Sequence, residues 1–213
     1  MRFSGRSTAL LPIVAAALFG PLMAWRRLGP LDFWWGMSAS VSGLVILSAV
    51  VDNTQRSSLL QDWKEGLARK IGLGVLSALV LYGVFWAGNA FSRAVFPSAA
   101  TDIGAVYGFK QDAAVIRIGL LILFVIGPGE EIFWRGFLQR RWQKRVGLLR
   151  GWLLAAGFYT LVHIGSGNPM LVLSALVCGL FWGALYVRFR SAILVAVSHT
   201  LWDLLIFIIF PLG

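Results

Sequence analysis

The sequence has few charged residues, one cysteine and two histidines. Charged residues make up 13% of the 213 residues, whereas a soluble domain has about a quarter. Hydrophobic residues make up 58%. The shortage of charge argues against an ordinary soluble domain, and the lone Cys178 excludes a disulfide within the chain.

The apolar residues are grouped in blocks long enough to cross a bilayer as helices, which takes about 20 residues. The blocks run roughly over 8–25, 32–51, 71–92, 113–138, 151–166, 170–187 and 191–210. They predict an all-α fold, a polytopic transmembrane helical bundle of seven to eight spans. The eighth span would be 130–143 as a separate embedded helix. We expect a single membrane-embedded domain over 1–213, with the polar motifs at about 120–205.

The net charge of +10 has the distribution of a membrane topology signal. With the N-terminus in the cytoplasm, the inner segments carry Arg2, Arg6, Arg56, Lys64, Arg69, Lys70, Arg140, Arg141, Lys144, Arg145, Arg150, Arg188 and Arg190. The outer segments carry only Arg26, Arg27, Arg93 and Lys110. Basic residues accumulate in cytoplasmic loops, so we expect a multi-pass protein of the bacterial cytoplasmic membrane. The basic residues would contact anionic lipid and not nucleic acid.

A small set of ionisable side chains falls within the spans: Arg117, Glu130, Glu131, Arg135, His163, His199 and Asp203. Each charge at mid-bilayer costs about 2.5–3.5 kcal/mol on insertion scales. Groups this costly are expected to face one another or a wet cavity. Apart from Arg117, which we interpret as structural, they are therefore the candidates for function.

The stretch PGEEIFWR, residues 128–135, contains the densest group of these charges. Glu131 and Arg135 have i,i+4 spacing with the acid first, the favourable order for an ion pair. Glu130 points to a different face and has no obvious partner on its own helix. Pro128 and Gly129 predict an interruption of the helix, with a restart near Glu130.

Two later spans repeat the i,i+4 spacing. Tyr159 and His163 share one face of the fifth span, and His199 and Asp203 share one face of the seventh. A carboxylate and imidazoles around a wet pocket suit hydrolysis, because a carboxylate takes a proton from water and an imidazole positions that water or protonates the leaving group.

At these residues the sequence resembles the CAAX protease and bacteriocin-processing family of intramembrane proteases (CPBP, also called Abi). Its motifs are EExxxR, FxxxH, and HxxxN or HxxxD. Here they are EEIFWR at 130–135, YTLVH at 159–163 and HTLWD at 199–203. Tyr159 replaces the usual phenylalanine.

The resemblance implies a glutamate-dependent endopeptidase that cleaves a membrane-anchored or membrane-inserting polypeptide. It implies that Glu130 and His163 activate water, and that His199 and Asp203 orient groups and stabilise the oxyanion. The remaining motif residues, Glu131, Arg135 and Tyr159, would be supports.

The metal requirement is open at this stage. Zinc is possible with Glu130, His163 and His199 as ligands, because two histidines and a glutamate form a known zinc set. The H-E-x-x-H pattern of many zinc proteases is not present in the sequence. We favour chemistry without a cofactor.

Two alternatives compete with an active protease. A non-catalytic membrane scaffold would use the same buried polar cluster as an interaction site. A transporter-like protein is favoured by the Pro/Gly interruption, but no second matching interruption is present. The substrate also stays open between a prenylated tail, a peptide to be matured, a bacteriocin and a C-terminal sorting helix.

Overall fold

The computed structural model describes residues 5–110 and 113–212, with side chains from residue 10 onward. Arg2 and the side chain of Arg6, which the predicted topology places at the inner face, lie outside this part. The described residues are almost entirely helical. The predicted all-α class is therefore confirmed.

Eleven α-helices lie within the described residues. They are α1 (Gly5–Trp25), α2 (Phe33–Val51), α3 (Asn53–Lys64), α4 (Leu67–Val95), α5 (Ala99–Tyr107), α6 (Val115–Leu121), α7 (Gly127–Phe133), α8 (Arg140–Val146), α9 (Leu148–His163), α10 (Pro169–Phe189) and α11 (Ala192–Leu204). A hairpin of two short antiparallel strands, β1 (Arg27–Leu28) and β2 (Leu31–Asp32), joins α1 to α2. Turns of 3₁₀ helix follow α5 at Gly108–Lys110 and α9 at Ile164–Ser166.

Five helices of the described chain are long and apolar enough to cross a membrane. They are Phe33–Val51, Leu67–Val95, Leu148–Ser166, Pro169–Phe189 and Ala192–Ile209. A sixth results if Ala99–Lys110 and Val115–Val146 count as one bent span. The apolar helix Leu10–Trp25 is shorter. An integral membrane protein is supported, whereas seven to eight spans are not confirmed.

The predicted interruption at Pro128 and Gly129 is wrong. The chain is helical from Val115 to Val146, and we call this segment the motif helix. Turns of π helix, Ile122–Ile126 and Trp134–Gln139, flank α7 on both sides. A widened turn directly before Pro128 accommodates a ring that would clash in a regular α-helix. Glu130 and Glu131 therefore lie in mid-helix, not at a free N-terminus.

Two glycines of the motif helix allow close packing against its neighbours. A Cβ atom on Gly127 would overlap Thr200 of α11, whose Cα would be 3.0 Å away. A Cβ atom on Gly129 would overlap Val41 of α2. Small residues let helix backbones approach closely in membrane proteins. The glycines thus place α7 between α2 and α11, which brings the first and third motifs together.

An aromatic core lies next to the motif helix. Trp134 makes edge contacts with Phe19 and Phe133, with ring centroids 5.6 and 5.0 Å apart. Phe137 and Trp182 are fully buried in the same cluster. Aromatic side chains of this size bury much apolar area each, so this cluster fixes α1, α10 and the motif helix against one another.

Asp52 joins the segment between α2 and α3 to α8. Its side chain accepts hydrogen bonds from the Thr54 backbone amide at 3.0 Å and from Arg140 Nη2 at 2.7 Å. Arg141 lies 3.8 Å away. Burial opposes ionisation, but the Thr54 hydroxyl and the two guanidinium groups outweigh it and hold the pKa of Asp52 below its ordinary value. The ionised carboxylate is the form that stabilises the fold.

We expect Asp52→Asn to destabilise the protein by about 1–3 kcal/mol at neutral pH, because buried Arg140 loses its carboxylate partner while the helix cap survives. A lowered folded-state pKa stabilises the protein above the unfolded pKa and stops doing so as pH falls through the folded value. The difference from wild type should therefore shrink below about pH 4. Thermal unfolding in detergent across pH measures it. Glu65→Gln, at an exposed side chain bonded only to Gln61, is the control. Equal melting of Asp52→Asn and wild type at neutral pH would contradict this role.

Gly127→Ala should separate α7 from α11, because the new methyl group overlaps the Thr200 hydroxyl and would lie only 3.0 Å from the Thr200 Cα. Overpacking of this kind costs about 1–3 kcal/mol. Gly83→Ala is the matched control, since a Cβ atom there has nothing within 4 Å. The measurement is the apparent melting temperature in detergent. A Gly127→Ala protein as stable as Gly83→Ala would show that the close approach is not required.

Candidate active site

The three motifs meet at one partly open cavity of about 260 Å³. The motif helix supplies Glu130, α9 supplies His163, and α11 supplies His199 and Asp203. Tyr159 also lines this cavity. The four residues with a predicted catalytic role are thus brought together, although they come from three separate helices.

Glu131 is the centre of a buried polar cluster behind the cavity. Its Oε1 accepts a hydrogen bond from Arg135 Nη1 at 2.7 Å and lies 2.7 Å from His199 Nδ1. Arg135 also donates to the Gly179 carbonyl at 3.4 Å. Glu131 is completely buried and Arg135 is 2% exposed. Removing one partner of such a buried charge pair strongly destabilises the protein. The cluster therefore ties the motif helix to α11.

His199 is held on both ring nitrogens. Its Nδ1 faces Glu131, and its Nε2 lies 3.4 Å from Asp203 Oδ2. The ring also stacks on Trp182, with centroids 3.8 Å apart and planes at 25°. Carboxylates accept hydrogen bonds, so this environment suits a ring that donates from both nitrogens. The orientation of His199 is consequently fixed by three neighbours.

His163 has one nitrogen committed and the other available. Its Nδ1 lies 2.7 Å from the Tyr159 carbonyl oxygen. Because a carbonyl oxygen only accepts, Nδ1 carries the proton, and the neutral ring keeps a lone pair on Nε2. The Tyr159 ring lies 4.7 Å from the imidazole. His163 is therefore arranged to accept a hydrogen bond or a proton within the cavity.

Glu130 differs from its neighbour Glu131 in lining the cavity and in having no ion pair among the described residues. Its side chain lines the cavity and is 3% exposed. The Oε2 atom has no hydrogen-bond partner among the described residues. A buried polar atom without a partner is costly, and such groups concentrate where chemistry is done. Glu130 is thus the carboxylate of the cavity with no charged partner within 4 Å among the described residues.

The arrangement does not fit the zinc set considered from the sequence. No group of three or more His, Cys, Asp or Glu residues in 5–110 and 113–212 has positions suited to a metal ion. Both nitrogens of His199 already face carboxylates, and a metal ligand needs a free lone pair. We therefore derive no step through a metal.

Two tryptophans of the site are not among the candidate residues predicted from the sequence. Trp182 stacks on His199. Trp202 lines the cavity, and its Nε1 has no partner among the described residues. Trp202 follows His199 by three residues, a helical spacing that points to the same face. Trp182 lies on another helix and gives no local signal.

The first 110 residues contribute to the site, although the sequence showed only hydrophobic helices there. Phe33 and Trp34 of α2 and Phe85 and Asn89 of α4 line the cavity. No motif marks these positions, because an apolar wall residue has the same sequence signature as a lipid-facing one.

Residues 112–205 match the family model described as Type II CAAX prenyl endopeptidase Rce1-like. Neither a curated protein nor a solved structure matches the chain significantly. The matched segment contains all three motifs and the residues around Glu130, whereas α1 to α5 precede it. The resemblance predicted from the motifs is thereby confirmed over residues 112–205, which are similar to a family of proteases.

Proposed function

We propose that the protein is an intramembrane endopeptidase that hydrolyses a peptide bond with water activated by Glu130 and His163. One observation carries the proposal. A carboxylate oxygen without a partner among the described residues and an imidazole with a free nitrogen line the same cavity. The family model that matches residues 112–205 also supports peptidase activity.

The proposed reaction begins when Glu130 takes a proton from water whose second hydrogen bonds to His163 Nε2. The hydroxide attacks the carbonyl carbon of the scissile bond and forms a tetrahedral intermediate. The proton on Glu130 then passes to the amide nitrogen, the C–N bond breaks, and a carboxylic acid and an amine are released. No group outside the site and the water is needed.

Two hydrogen-bond donors of the site can stabilise the negative charge that develops on the carbonyl oxygen during the reaction. His199 lines the cavity and is oriented by Glu131 through Nδ1; its Nε2–H, which lies 3.4 Å from Asp203 Oδ2, is the N–H that turns to the oxyanion in this scheme. Trp202 presents an indole N–H without a partner among the described residues. Donors fixed before the reaction stabilise a developing oxyanion more than mobile water does. Glu131, Arg135 and the Tyr159 ring act as supports in this scheme.

We further propose a substrate and a topology that complete this function. The substrate is a polypeptide delivered by the membrane. Counting α1 and the bent pair Ala99–Lys110 and Val115–Val146 with the five long helices gives seven spans. Alternate crossing then places the N-terminus at the basic, cytoplasmic end.

Glu130→Gln should reduce cleavage by at least about 100-fold, because general-base catalysis contributes about 10²–10⁴-fold. The assay follows a pool of membrane-tail peptides by mass spectrometry, with purified wild-type and variant proteins in detergent. A strong chelator should leave wild-type cleavage unchanged.

Other outcomes separate the alternatives. Cleavage that survives Glu130→Gln contradicts the mechanism. Loss of wild-type cleavage in the chelator shows a metal requirement. A wild-type protein that binds the peptides without cleaving any of them favours the scaffold alternative.

Glu131→Gln should lower the free energy of unfolding by about 3–5 kcal/mol, because it leaves Arg135 buried and unpaired. Glu130→Gln is the matched control. It makes the same change at the neighbouring residue, whose carboxylate has no charged partner within 4 Å among the described residues. The apparent melting temperatures of both variants in detergent decide the comparison. Equal melting temperatures of the two variants would contradict the supporting role of Glu131. Partial recovery in Glu131→Gln/Arg135→Met would show that the stranded charge is the cause.

A further inference from the structure

We infer that the substrate reaches Glu130 from the end of the bundle that carries few basic residues, and that this end faces away from the cytoplasm. The inference rests on the proposed function, because it concerns how a polypeptide enters the same cavity. Three observations support it: the positions of the cavity-lining residues along the helices, the packed layer that closes the opposite side, and the distribution of basic residues.

The cavity walls come from one end of the bundle. We call the start of α2, the end of α4, α5 and the start of α10 the mouth end. Its cavity-lining residues are Phe33 and Trp34, Asn89 and Ser92, Tyr107 and Phe109, and Met170 and Leu171. The innermost wall positions are Glu130, Cys178 and His199. The cavity therefore runs from the mouth end to the catalytic residues.

The opposite side is closed by a packed layer that we call the floor. It contains Trp134, Phe137 and Trp182, which are 2%, 0% and 0% exposed. Trp182 lies directly against His199. Gln139, next along the motif helix, is also buried and donates to the Gly183 carbonyl at 2.9 Å. A layer packed at this density leaves no path for a peptide.

The two ends differ in basic residues. Beyond the floor lie Arg56, Lys64, Arg69, Lys70, Arg140, Arg141, Lys144, Arg145, Arg150, Arg188 and Arg190. The mouth end has Arg26, Arg27, Arg93, Lys110 and Arg117. Arg117 is paired with Asp32 at 2.7 Å. The positive-inside rule places the floor towards the cytoplasm and the mouth on the other side.

The walls also define the substrate chemistry. Three polar side chains in the outer half already have partners in the chain. Asn89 donates to the Leu212 carbonyl at 2.9 Å, and Tyr107 accepts from the Leu212 amide at 2.8 Å. Ser174 donates to the Met170 carbonyl at 2.7 Å. What remains is an apolar surface, which suits an apolar polypeptide segment and not a charged one.

The depth of the cavity sets the length of this segment. Pro169 at the start of α10 and Cys178 beside the catalytic residues are nine residues apart, about 14 Å along a helix. An extended chain covers that distance with about four residues. The substrate is therefore an apolar segment of at least that length beside the scissile bond, presented at the outer surface of the membrane.

The test of access uses single cysteines in a Cys178→Ala background, labelled in intact cells with a small membrane-impermeant methanethiosulfonate. Ser174→Cys reports the cavity wall. Ser98→Cys, exposed between α4 and α5, reports the mouth end, and Ser57→Cys, exposed on α3, reports the end beyond the floor. We expect Ser98→Cys and Ser174→Cys to be labelled in intact cells, and Ser57→Cys only after permeabilisation. The reverse pattern, or no labelling of Ser174→Cys in intact cells, overturns the inference.

A second arm separates this inference from the proposed function. An apolar peptide with an impermeant charged tag is added to right-side-out and to inverted membrane vesicles, with vesicles that contain Glu130→Gln as background. We expect Glu130-dependent cleavage in right-side-out vesicles and its loss in inverted ones until detergent is added. Glu130-dependent cleavage confined to inverted vesicles overturns the direction of entry alone. Cleavage that does not depend on Glu130 overturns the proposed function.

Discussion

The arrangement of the site depends on one carboxylate oxygen, Oε1 of Glu131. It accepts from Arg135 on its own helix and faces His199 on α11, both at 2.7 Å. In a membrane interior such charges are tolerated only when they satisfy one another. This shared oxygen therefore holds two helices in register, and the position of His199 relative to Glu130 follows from it. The two adjacent glutamates differ in their surroundings, because Glu131 pairs with Arg135 and His199, whereas Glu130 lines the cavity without an ion pair among the described residues.

Close packing makes that interaction possible. Gly127 permits the approach of α11, and Gly129 permits the approach of α2. Trp182 fills the space on the other side of His199. These contacts are apolar, yet they position polar groups, since a shift of about 1 Å at a catalytic group costs on the order of 100-fold in rate. The π turns on both sides of α7 let a proline-containing helix remain continuous through this crowded region.

The position of the site in the membrane follows from the same packing. The aromatic floor separates the proposed catalytic residues from the basic end of the bundle, while apolar walls lead to the other end. A hydrolase inside a bilayer has to admit water and an extended peptide without opening a path across the membrane. A cavity closed on one side meets both requirements, and the direction in which it opens decides which substrates reach it.

The amino-acid sequence by itself determined the helical class, the membrane environment and the local pairs. The pair of Glu131 and Arg135 and that of His199 and Asp203 were predictable because i,i+4 residues share a helix face whatever the tertiary structure. Only the tertiary structure decided the contact of Glu131 with His199, the stacking of Trp182 and the walls from α2 and α4. These contacts join helices distant in sequence, and apolar residues that line a cavity look like those that face lipid. The continuity of the helix through Pro128 was also decided there, because the widened turn before it has no sequence signature.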